Sequence, residues 1–326
     1  MVFSGWPDPE VRRGNQSYQR NIRIGMISIG DGVSGWLGRR SLLAGLGGII
    51  GIPSAMAQES ACDPRIWNRL PQTPSLPPPR ATGSVRAGGA ALWFGEFGAA
   101  RPGEIPIVLL HGGLASSDYW GAVIPTLTAR RSVLALDTRG HGRSTLGDAA
   151  LSYARMAADV LALLDQRGLE RAEVVGWSDG AIAGLQLAVT QPRRVQRLFA
   201  FAANTDRAGV IAGGSETSVF REFKQRAATE YRALSPAPDR YGALLEQLGR
   251  MWQREPAFGA DELKRIVAAT TIAAAAHDEL IALRHSQALA GSVAGARLVI
   301  LPCVDHFAIL QDPVGFGRQV LDASGG

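Results

Sequence analysis

The sequence predicts an α/β fold in which a mostly parallel central sheet has helices on both faces and carries an inserted helical cap. From Gly83 onward, short and continuously apolar strand segments alternate with segments of helical spacing. Continuous apolarity is typical of strands that are covered on both faces, and the alternation is typical of parallel sheets. The alternation stops between Asn204 and Ala268, where the chain is polar, helical and too long for a connecting loop. This segment is the predicted cap.

The predicted elements follow one another as such a sheet requires. Val85 to Phe97 forms a first hairpin. The predicted strands after it are 105–110, 132–136, 173–177, 195–201, 270–276 and 297–301. The predicted helices are 150–166 and 180–189 and, within the cap, 221–231 and 241–252. We expect the folded domain to occupy residues 81–326.

Composition and charge exclude several classes of protein. The 326 residues are 46% hydrophobic and 19% charged, which suits one large core and does not fit a disordered, collagen-like or multi-span membrane protein. The net charge of +5 does not indicate a nucleic-acid partner, because residues 1–57 hold six arginines and three acidic residues. The 28 basic and 26 acidic residues beyond position 57 are scattered and form no stripe.

Residues 1–57 have the pattern of an export signal. Arg39-Arg40 precedes a short apolar, glycine-rich run, and Ala55-Met56-Ala57 supplies small residues at a cleavage site. The arginine pair followed by Ser41-Leu42-Leu43 resembles the twin-arginine type of signal, which carries folded proteins across a membrane. We therefore expect export machinery as a transient partner, cleavage near Ala57, and a periplasmic or secreted mature protein.

The alternative for this segment is an uncleaved N-terminal helix or an anchor. Its apolar run is well short of the ~20 residues that a spanning helix needs, so we expect no stable membrane insertion after cleavage. The start codon stays open between Met1 and Met26.

Residues 58–80 are predicted to form a Pro-rich linker, because Pro77-Pro78-Pro79 favours an extended chain. Cys62 and Cys303 are the two cysteines, too few for a disulfide framework or a cysteine-only zinc site. The sequence leaves open whether they pair in an oxidising compartment, since it does not show their Cα atoms to be near each other.

The motif with the most chemical content is Gly176-Trp177-Ser178-Asp179-Gly180, between a predicted strand and a predicted helix. A sharp strand-to-helix turn holds the serine in a strained conformation, and small flanking residues leave room for it. Its Oγ then stands at a helix N-terminus, where developing negative charge is favoured. Ser178 is therefore the predicted nucleophile; the alternative is a plain glycine-rich turn in a βα unit.

A serine nucleophile needs a base, and the histidines that follow Ser178 are His277, His285 and His306. His306 comes after the last predicted strand and a short loop, which places it to swing over the carboxyl end of the sheet. His285 falls within a helical stretch, where we expect a surface or packing role. His306 is therefore the predicted base.

The base in turn needs an orienting acid, and Asp278 suits this role because it ends the preceding strand. Two carboxylates compete with it. We expect Glu279 to begin the next helix, and the position of Asp305 directly beside His306 hinders a turn back to the imidazole. For the oxyanion hole we expect the backbone N–H groups of Asp179 and of Gly113, in the glycine-rich loop after the 105–110 strand.

Four ordered motifs together resemble the α/β-hydrolase superfamily, over the chain from about residue 83 to the C-terminus. They are His111-Gly112-Gly113, residues 137–144, residues 176–180 and Asp305-His306-Phe307. The resemblance implies the α/β-hydrolase fold. The Trp-Ser-Asp-Gly sequence resembles the valacyclovir-hydrolase-like and C–C-bond hydrolase branches, and the chain departs from them at Ala181, at Ala275-Ala276 and at Cys303. Members of this broad group include esterases, lactonases and cofactor-free perhydrolases.

The residues and the resemblance together predict a serine hydrolase that cleaves a small ester or lactone through an acyl-enzyme. We expect no cofactor and no metal, because the histidines and cysteines show no ligand spacing. Three alternatives stay open: a C–C-bond hydrolase of diketone-like substrates, a cofactor-free perhydrolase, and a low-turnover binding protein on the same scaffold.

Four further side chains near these motifs have expected roles. The Asp179 carboxylate either stabilises the helix N-terminus or, as the valacyclovir-hydrolase-like branch implies, pairs with a cationic substrate group. We expect His141, Arg139 and Arg143 to be structural.

Overall fold

The computed structural model describes residues 62–101 and 103–325. The predicted export signal and the first residues of the predicted linker lie outside these ranges. Within them, no helix combines the length and apolarity that crossing a membrane requires.

One sheet of eight strands organises the domain. The strands are β1 Ala81–Ala87, β2 Ala90–Phe97, β3 Ile107–Leu110, β4 Val133–Leu136, β5 Ala172–Trp177, β6 Val195–Phe201, β7 Ala269–Ala275 and β8 Arg297–Leu301. Their order across the sheet is β1-β2-β4-β3-β5-β6-β7-β8. The hairpin β1–β2 and the pair β2–β4 are antiparallel, and the remaining pairs are parallel. The predicted mostly parallel sheet is therefore confirmed.

Both faces of this sheet are buried. Val108 and Leu110 of β3 belong to one hydrophobic core cluster, whereas Ile107 and Leu109 belong to the other. Successive side chains of a strand point to opposite faces, so each cluster covers one face. This explains why the strand segments are apolar at every position rather than at alternate ones.

The helices in the described ranges surround the sheet and form the cap. They are α1 Pro64–Trp67, α2 Ile124–Thr128, α3 Tyr153–Gln166, α4 Asp179–Thr190, α5 Ser218–Leu234, α6 Tyr241–Arg254, α7 Ala260–Leu263, α8 Leu283–Ser292, α9 Ala308–Gln311 and α10 Pro313–Ala323. Helices α5, α6 and α7 are inserted between β6 and β7, within the segment predicted as a cap. Helix α5 starts three residues before its predicted start because the Thr217 side chain accepts the Phe220 N–H and caps it.

The N-terminal segment of the described chain is attached to the domain. Cys62 and Cys303 form a disulfide with their Cα atoms 5.2 Å apart, which settles the pairing that the sequence left open. The Leu70 side chain is buried in one of the two core clusters. Residues 68–79, which include the three prolines, form no helix or strand.

Candidate active site

The strand-to-helix turn at Ser178 is strained. Ser178 has φ 54° and ψ −121° and is the N-cap residue of helix α4. A positive φ is unfavourable for a residue with a Cβ atom and is held only where the surroundings fix it. A side chain at Gly176 would collide with the backbone of Ala181, and one at Gly180 with the backbone of Leu110. The two glycines therefore permit the close packing that holds this conformation.

The predicted acid and base are in direct contact. His306 Nδ1 lies 3.1 Å from both carboxylate oxygens of Asp278, and both side chains are almost completely buried. A carboxylate only accepts hydrogen bonds, so Nδ1 carries the proton and Nε2 is left as the basic nitrogen. The backbone N–H groups of Leu280 and Ile281 also donate to Asp278 Oδ1, at 2.9 and 2.8 Å, and fix the carboxylate.

These two hydrogen bonds correct one expectation about the neighbouring carboxylate. Glu279 does not begin the next helix, because Asp278 turns the chain there and helix α8 starts only at Leu283. Glu279 Oε2 accepts the backbone N–H of His306 at 3.4 Å rather than its imidazole. The Asp305 carboxylate accepts the backbone N–H of Phe307 at 2.7 Å. Neither competing carboxylate binds the imidazole.

The surroundings of His306 favour its protonated form. Burial by itself disfavours the imidazolium, but the charge and hydrogen bond of Asp278, together with the charge of Glu279, outweigh it and raise the pKa of His306 above its ordinary value. Burial, together with the charge of Glu279, raises the pKa of Asp305 to about 8. An acidic group of this kind holds its proton at neutral pH.

Ser178 lies near this pair without being bonded to it. The ring of Trp177, the residue before Ser178, has its centroid 5.8 Å from that of His306. Among the hydrogen bonds of residues 62–101 and 103–325, none joins Ser178 Oγ to His306. Catalytic hydrogen bonds are often long without substrate and tighten in the complex.

Backbone donors approach the turn from the loop after β3. A Cβ atom on Gly112 would lie 3.2 Å from the Cβ of Ser178, and one on Gly113 would collide with the Asp179 carboxylate and the Trp252 indole. Only glycine allows this approach. In the described part of the chain, the N–H groups of Gly113 and Asp179 donate to no other protein group. Two such donors beside a serine can bind a developing oxyanion.

The Asp179 side chain is buried, and both of its carboxylate oxygens accept hydrogen bonds. The Tyr153 hydroxyl donates to its Oδ1 at 2.7 Å, and Trp252 Nε1 donates to both oxygens at 3.1 and 2.9 Å. Burial raises the pKa of Asp179, although these hydrogen bonds and the charge of His306 oppose that shift. Sequence reasoning missed Tyr153 and Trp252, because they lie 26 and 73 residues from Asp179 and form no local motif.

The remaining polar side chains of the motifs bind one another or the backbone. Thr138 N donates to His111 Nε2 at 3.0 Å, and His141 Nδ1 contacts the carbonyl of Arg139 at 2.9 Å. The Arg139 guanidinium forms a buried ion pair with Asp159. These contacts join the loops after β3 and β4 and attach the second loop to helix α3.

The side chains of Arg143 and His285 also bind other groups of the protein. Arg143 pairs with Asp118 and Asp137, while His285 Nε2 accepts the backbone N–H of Thr205 at 2.9 Å. In the part of the chain that the structure describes, no cluster of three or more His, Cys, Asp or Glu could hold a metal ion.

Comparison with known proteins gives matches over most of the domain. A family model described as "alpha/beta hydrolase fold" matches residues 105–233. The "Putative carbamate hydrolase RutD" of Variovorax paradoxus is 31% identical over 255 residues, covering 68% of this chain and 92% of that protein. The protein of the same name from Pseudomonas savastanoi pv. phaseolicola is 28% identical over 252 residues, covering 70% of this chain and 97% of its own length.

Solved structures agree with the fold. A hydrolase from Pseudomonas aeruginosa is 27% identical with a TM-score of 0.58, and the match covers 76% of this chain and 99% of that one. The enol-lactonase from Burkholderia xenovorans is 20% identical with a TM-score of 0.60, covering 75% of this chain and 100% of that one. The second likeness concerns the fold alone.

Proposed function

Because this chain belongs to the α/β-hydrolase superfamily, we propose that it is a serine hydrolase that cleaves a small ester or lactone through an acyl-enzyme. The observation that carries the proposal is the contact of His306 Nδ1 with both oxygens of Asp278, at 3.1 Å. This contact leaves Nε2 as a base on the side chain that lies beside the strained turn of Ser178. No metal or organic cofactor enters the proposed reaction.

In the first half of the reaction, Ser178 Oγ attacks the substrate carbonyl carbon while His306 Nε2 takes the hydroxyl proton. Asp278 stabilises the imidazolium that forms. The negative charge develops on the carbonyl oxygen, where the N–H groups of Gly113 and Asp179 supply donors that are otherwise unused within the described chain. The imidazolium then gives its proton to the leaving oxygen, and the acyl group stays on Ser178.

In the second half, water attacks the acyl carbon and gives its proton to His306. The tetrahedral intermediate collapses, the acid leaves, and Ser178 recovers its proton. The raised pKa of His306 favours both halves of the reaction. Once the imidazole is deprotonated, a higher pKa makes it a stronger base toward the serine hydroxyl and then toward water.

Carbamate cleavage is the second candidate, favoured by relatives whose names refer to carbamate hydrolysis. A carbamate would react through the same steps and leave a carbamyl group on Ser178. The deciding experiment is turnover of matched esters and carbamates that share one leaving alcohol, together with a series of lactones. Preference for the ester or lactone supports the main proposal, and preference for the carbamate replaces it with the second. Cleavage of a vinylogous diketone alone would instead indicate C–C-bond hydrolysis.

We also propose that the mature protein is exported. The sequence pattern of Arg39-Arg40 and Ala55-Met56-Ala57 supports this proposal. Mass analysis of the native protein should find an N-terminus near Gln58 outside the cytoplasm. Replacing both arginines with lysine should keep the uncleaved chain in the cytoplasm, and an intact N-terminus in wild-type cytosol would contradict export.

A further inference from the structure

The segment 62–76, here named the strap, crosses the domain before the first strand. We propose that the strap is a positioning element for Asp278 and His306, and that closure of the Cys62–Cys303 disulfide brings the hydrolase to full activity. The inference rests on the proposed function. It concerns a segment far from the acid and base in sequence, since Cys62 lies 241 residues before Cys303.

The first contact of the strap is with the loop that carries the base. Cys303 lies three residues before His306, in the connection between β8 and α9. Its φ of 61° is in the left-handed region, which a residue other than glycine adopts only where its surroundings hold it. The disulfide to Cys62 is a covalent constraint at that position. The loop that aims the imidazole is thereby tied to a second part of the chain.

The second contact is with the turn that carries the acid. The Trp67 ring stacks on the imidazole of His277, with centroids 3.8 Å apart and planes inclined by 3°. His277 immediately precedes Asp278, and its backbone N–H donates to the carbonyl of Val304 at 3.2 Å. Trp67 therefore packs on the point where the acid turn and the base loop are joined.

The third contact runs through Gln311, on the far side of His306 in sequence. The Gln311 side-chain amide donates to the carbonyl of Arg69 at 3.1 Å, while its Oε1 accepts the backbone N–H of Asp305 at 2.8 Å. The residue before the base is thus linked to the strap through one side chain. Disulfide, ring stack and amide together attach the acid and base segments to the strap at three points.

The strap also reaches the cap. The Arg226 guanidinium on helix α5 donates to the carbonyls of Leu70, at 3.2 Å, and of Pro71. The Leu70 side chain is 5% exposed. This anchorage at the other end means that the strap is fixed to the domain independently of Cys62, so the disulfide adds a constraint to a segment already in place.

Closure of the disulfide requires an oxidant. The two thiols lose two protons and two electrons to a partner disulfide, of a thiol–disulfide oxidoreductase or of oxidised glutathione, which is reduced to two thiols. Such oxidants act in extracytoplasmic compartments, where the export pattern directs the chain. A domain that folds with reduced thiols and is then exported would gain its full activity after arrival.

The experiment compares the oxidised full chain with Cys62→Ser and Trp67→Leu. The serine is placed at Cys62 so that the sequence of the base loop is unchanged. Leu164→Ala is the matched control, because Leu164 is buried in the core cluster that does not contain the strap and its loss destabilises the domain without touching the acid–base pair. Assays are run well below the unfolding temperature of every variant. The readouts are kcat and KM separately, and the titration of the His306 imidazole by NMR.

The strap variants should lose about tenfold or more in kcat with little change in KM, since small displacements of catalytic groups have effects of this size. Their His306 pKa should fall toward the ordinary value as the contact with Asp278 loosens. Wild-type protein treated with dithiothreitol should behave like Cys62→Ser, which keeps the test available if the variant fails to fold. Leu164→Ala should change neither readout.

Unchanged kcat and unchanged His306 titration in folded Cys62→Ser would overturn the inference. So would equal effects in Cys62→Ser and Leu164→Ala, since the strap would then act through stability alone. Failure of the wild-type protein to react with a fluorophosphonate would instead count against the proposed function. The NMR titration still decides the role of the strap in that case.

Discussion

The indole N–H of Trp252 donates to both carboxylate oxygens of Asp179, at 3.1 and 2.9 Å. Trp252 belongs to cap helix α6, and Asp179 directly follows the predicted nucleophile. The cap is therefore hydrogen-bonded to the strand-to-helix turn itself. With the Tyr153 hydroxyl on the same carboxylate, the side chain has two neutral donors, which favours a role in joining the cap to the site over pairing with a cationic substrate group.

Asp179→Asn should therefore lower kcat/KM for neutral and α-amino esters by the same factor. The amide keeps the shape and the backbone donor but brings an N–H group against the donors of Tyr153 and Trp252. An unsatisfied buried group of this kind costs about 1–3 kcal/mol. Tyr153→Phe, which removes one donor and leaves the carboxylate, should also affect both substrates equally. Selective loss of α-amino esters in Asp179→Asn would show that the carboxylate binds a substrate cation.

The sequence predicted the partner of Asp278 but not the partners of Asp179. The contact of Asp278 with His306 was expected, because each residue follows a predicted strand of one mostly parallel sheet, and in the structure these strands, β7 and β8, are neighbours. The partners of Asp179 were not expected, since they depend on how the cap folds over the sheet. Local patterns position residues on strands and turns, whereas contacts between a cap and a sheet depend on packing that no local pattern encodes.

Asp278→Asn should reduce kcat by roughly 10⁴-fold, since loss of the orienting carboxylate leaves the imidazole in the wrong tautomer. Glu279→Gln is the matched control, because its side chain accepts a backbone N–H of His306 and does not bind the imidazole. Single-turnover kinetics on the same ester would compare them. An equal loss in both variants would contradict the assignment of the acid.

The pH profile of the wild-type protein gives a separate check. The reaction needs neutral His306, whose pKa is raised above its ordinary value of about 6.5. The acid limb of kcat/KM should therefore lie above that pH, with activity rising as pH rises through it. An acid limb below pH 6 would contradict the electrostatic description of the site.

The variant Asp305→Asn tests the raised pKa of the buried Asp305 carboxyl group, through the pH dependence of the free energy of unfolding. The pKa of Asp305 is raised from 3.8 to about 8 in the folded protein, so its contribution to stability is complete below about pH 4 and is lost as pH rises to 8. The asparagine cannot titrate and retains an acceptor for the Phe307 N–H. Urea unfolding should show the variant gaining stability relative to wild type between pH 4 and 8. Parallel stability curves would indicate an ordinary pKa.

Arg139→Ala should lower the free energy of unfolding by about 3–5 kcal/mol, because it leaves the Asp159 carboxylate buried without its partner. Arg250→Ala breaks the exposed pair with Glu246 and should cost under about 1 kcal/mol. Chemical denaturation at one pH would measure both. Equal, small effects would show that the buried pair is not structural as proposed.

The long-range contacts of the strap could not be predicted from the sequence. The sequence predicted a Pro-rich linker over residues 58–80, and nothing local indicated that Pro64–Trp67 form a helix, that Cys62 lies beside Cys303 or that Trp67 stacks on His277. Both contacts join residues more than 200 positions apart. Both contacts depend on the pairing of β7 with β8, which places the acid turn and the base loop side by side.

The most direct test of the central claim is labelling of Ser178 by a fluorophosphonate, followed by mass analysis of the modified peptide. The wild-type protein should carry one adduct on Ser178. Folded Ser178→Ala should carry none and should lose on the order of 10⁴-fold or more in ester turnover. A folded Ser178→Ala variant that retained a tenth of wild-type turnover, or an adduct on another residue, would contradict the account.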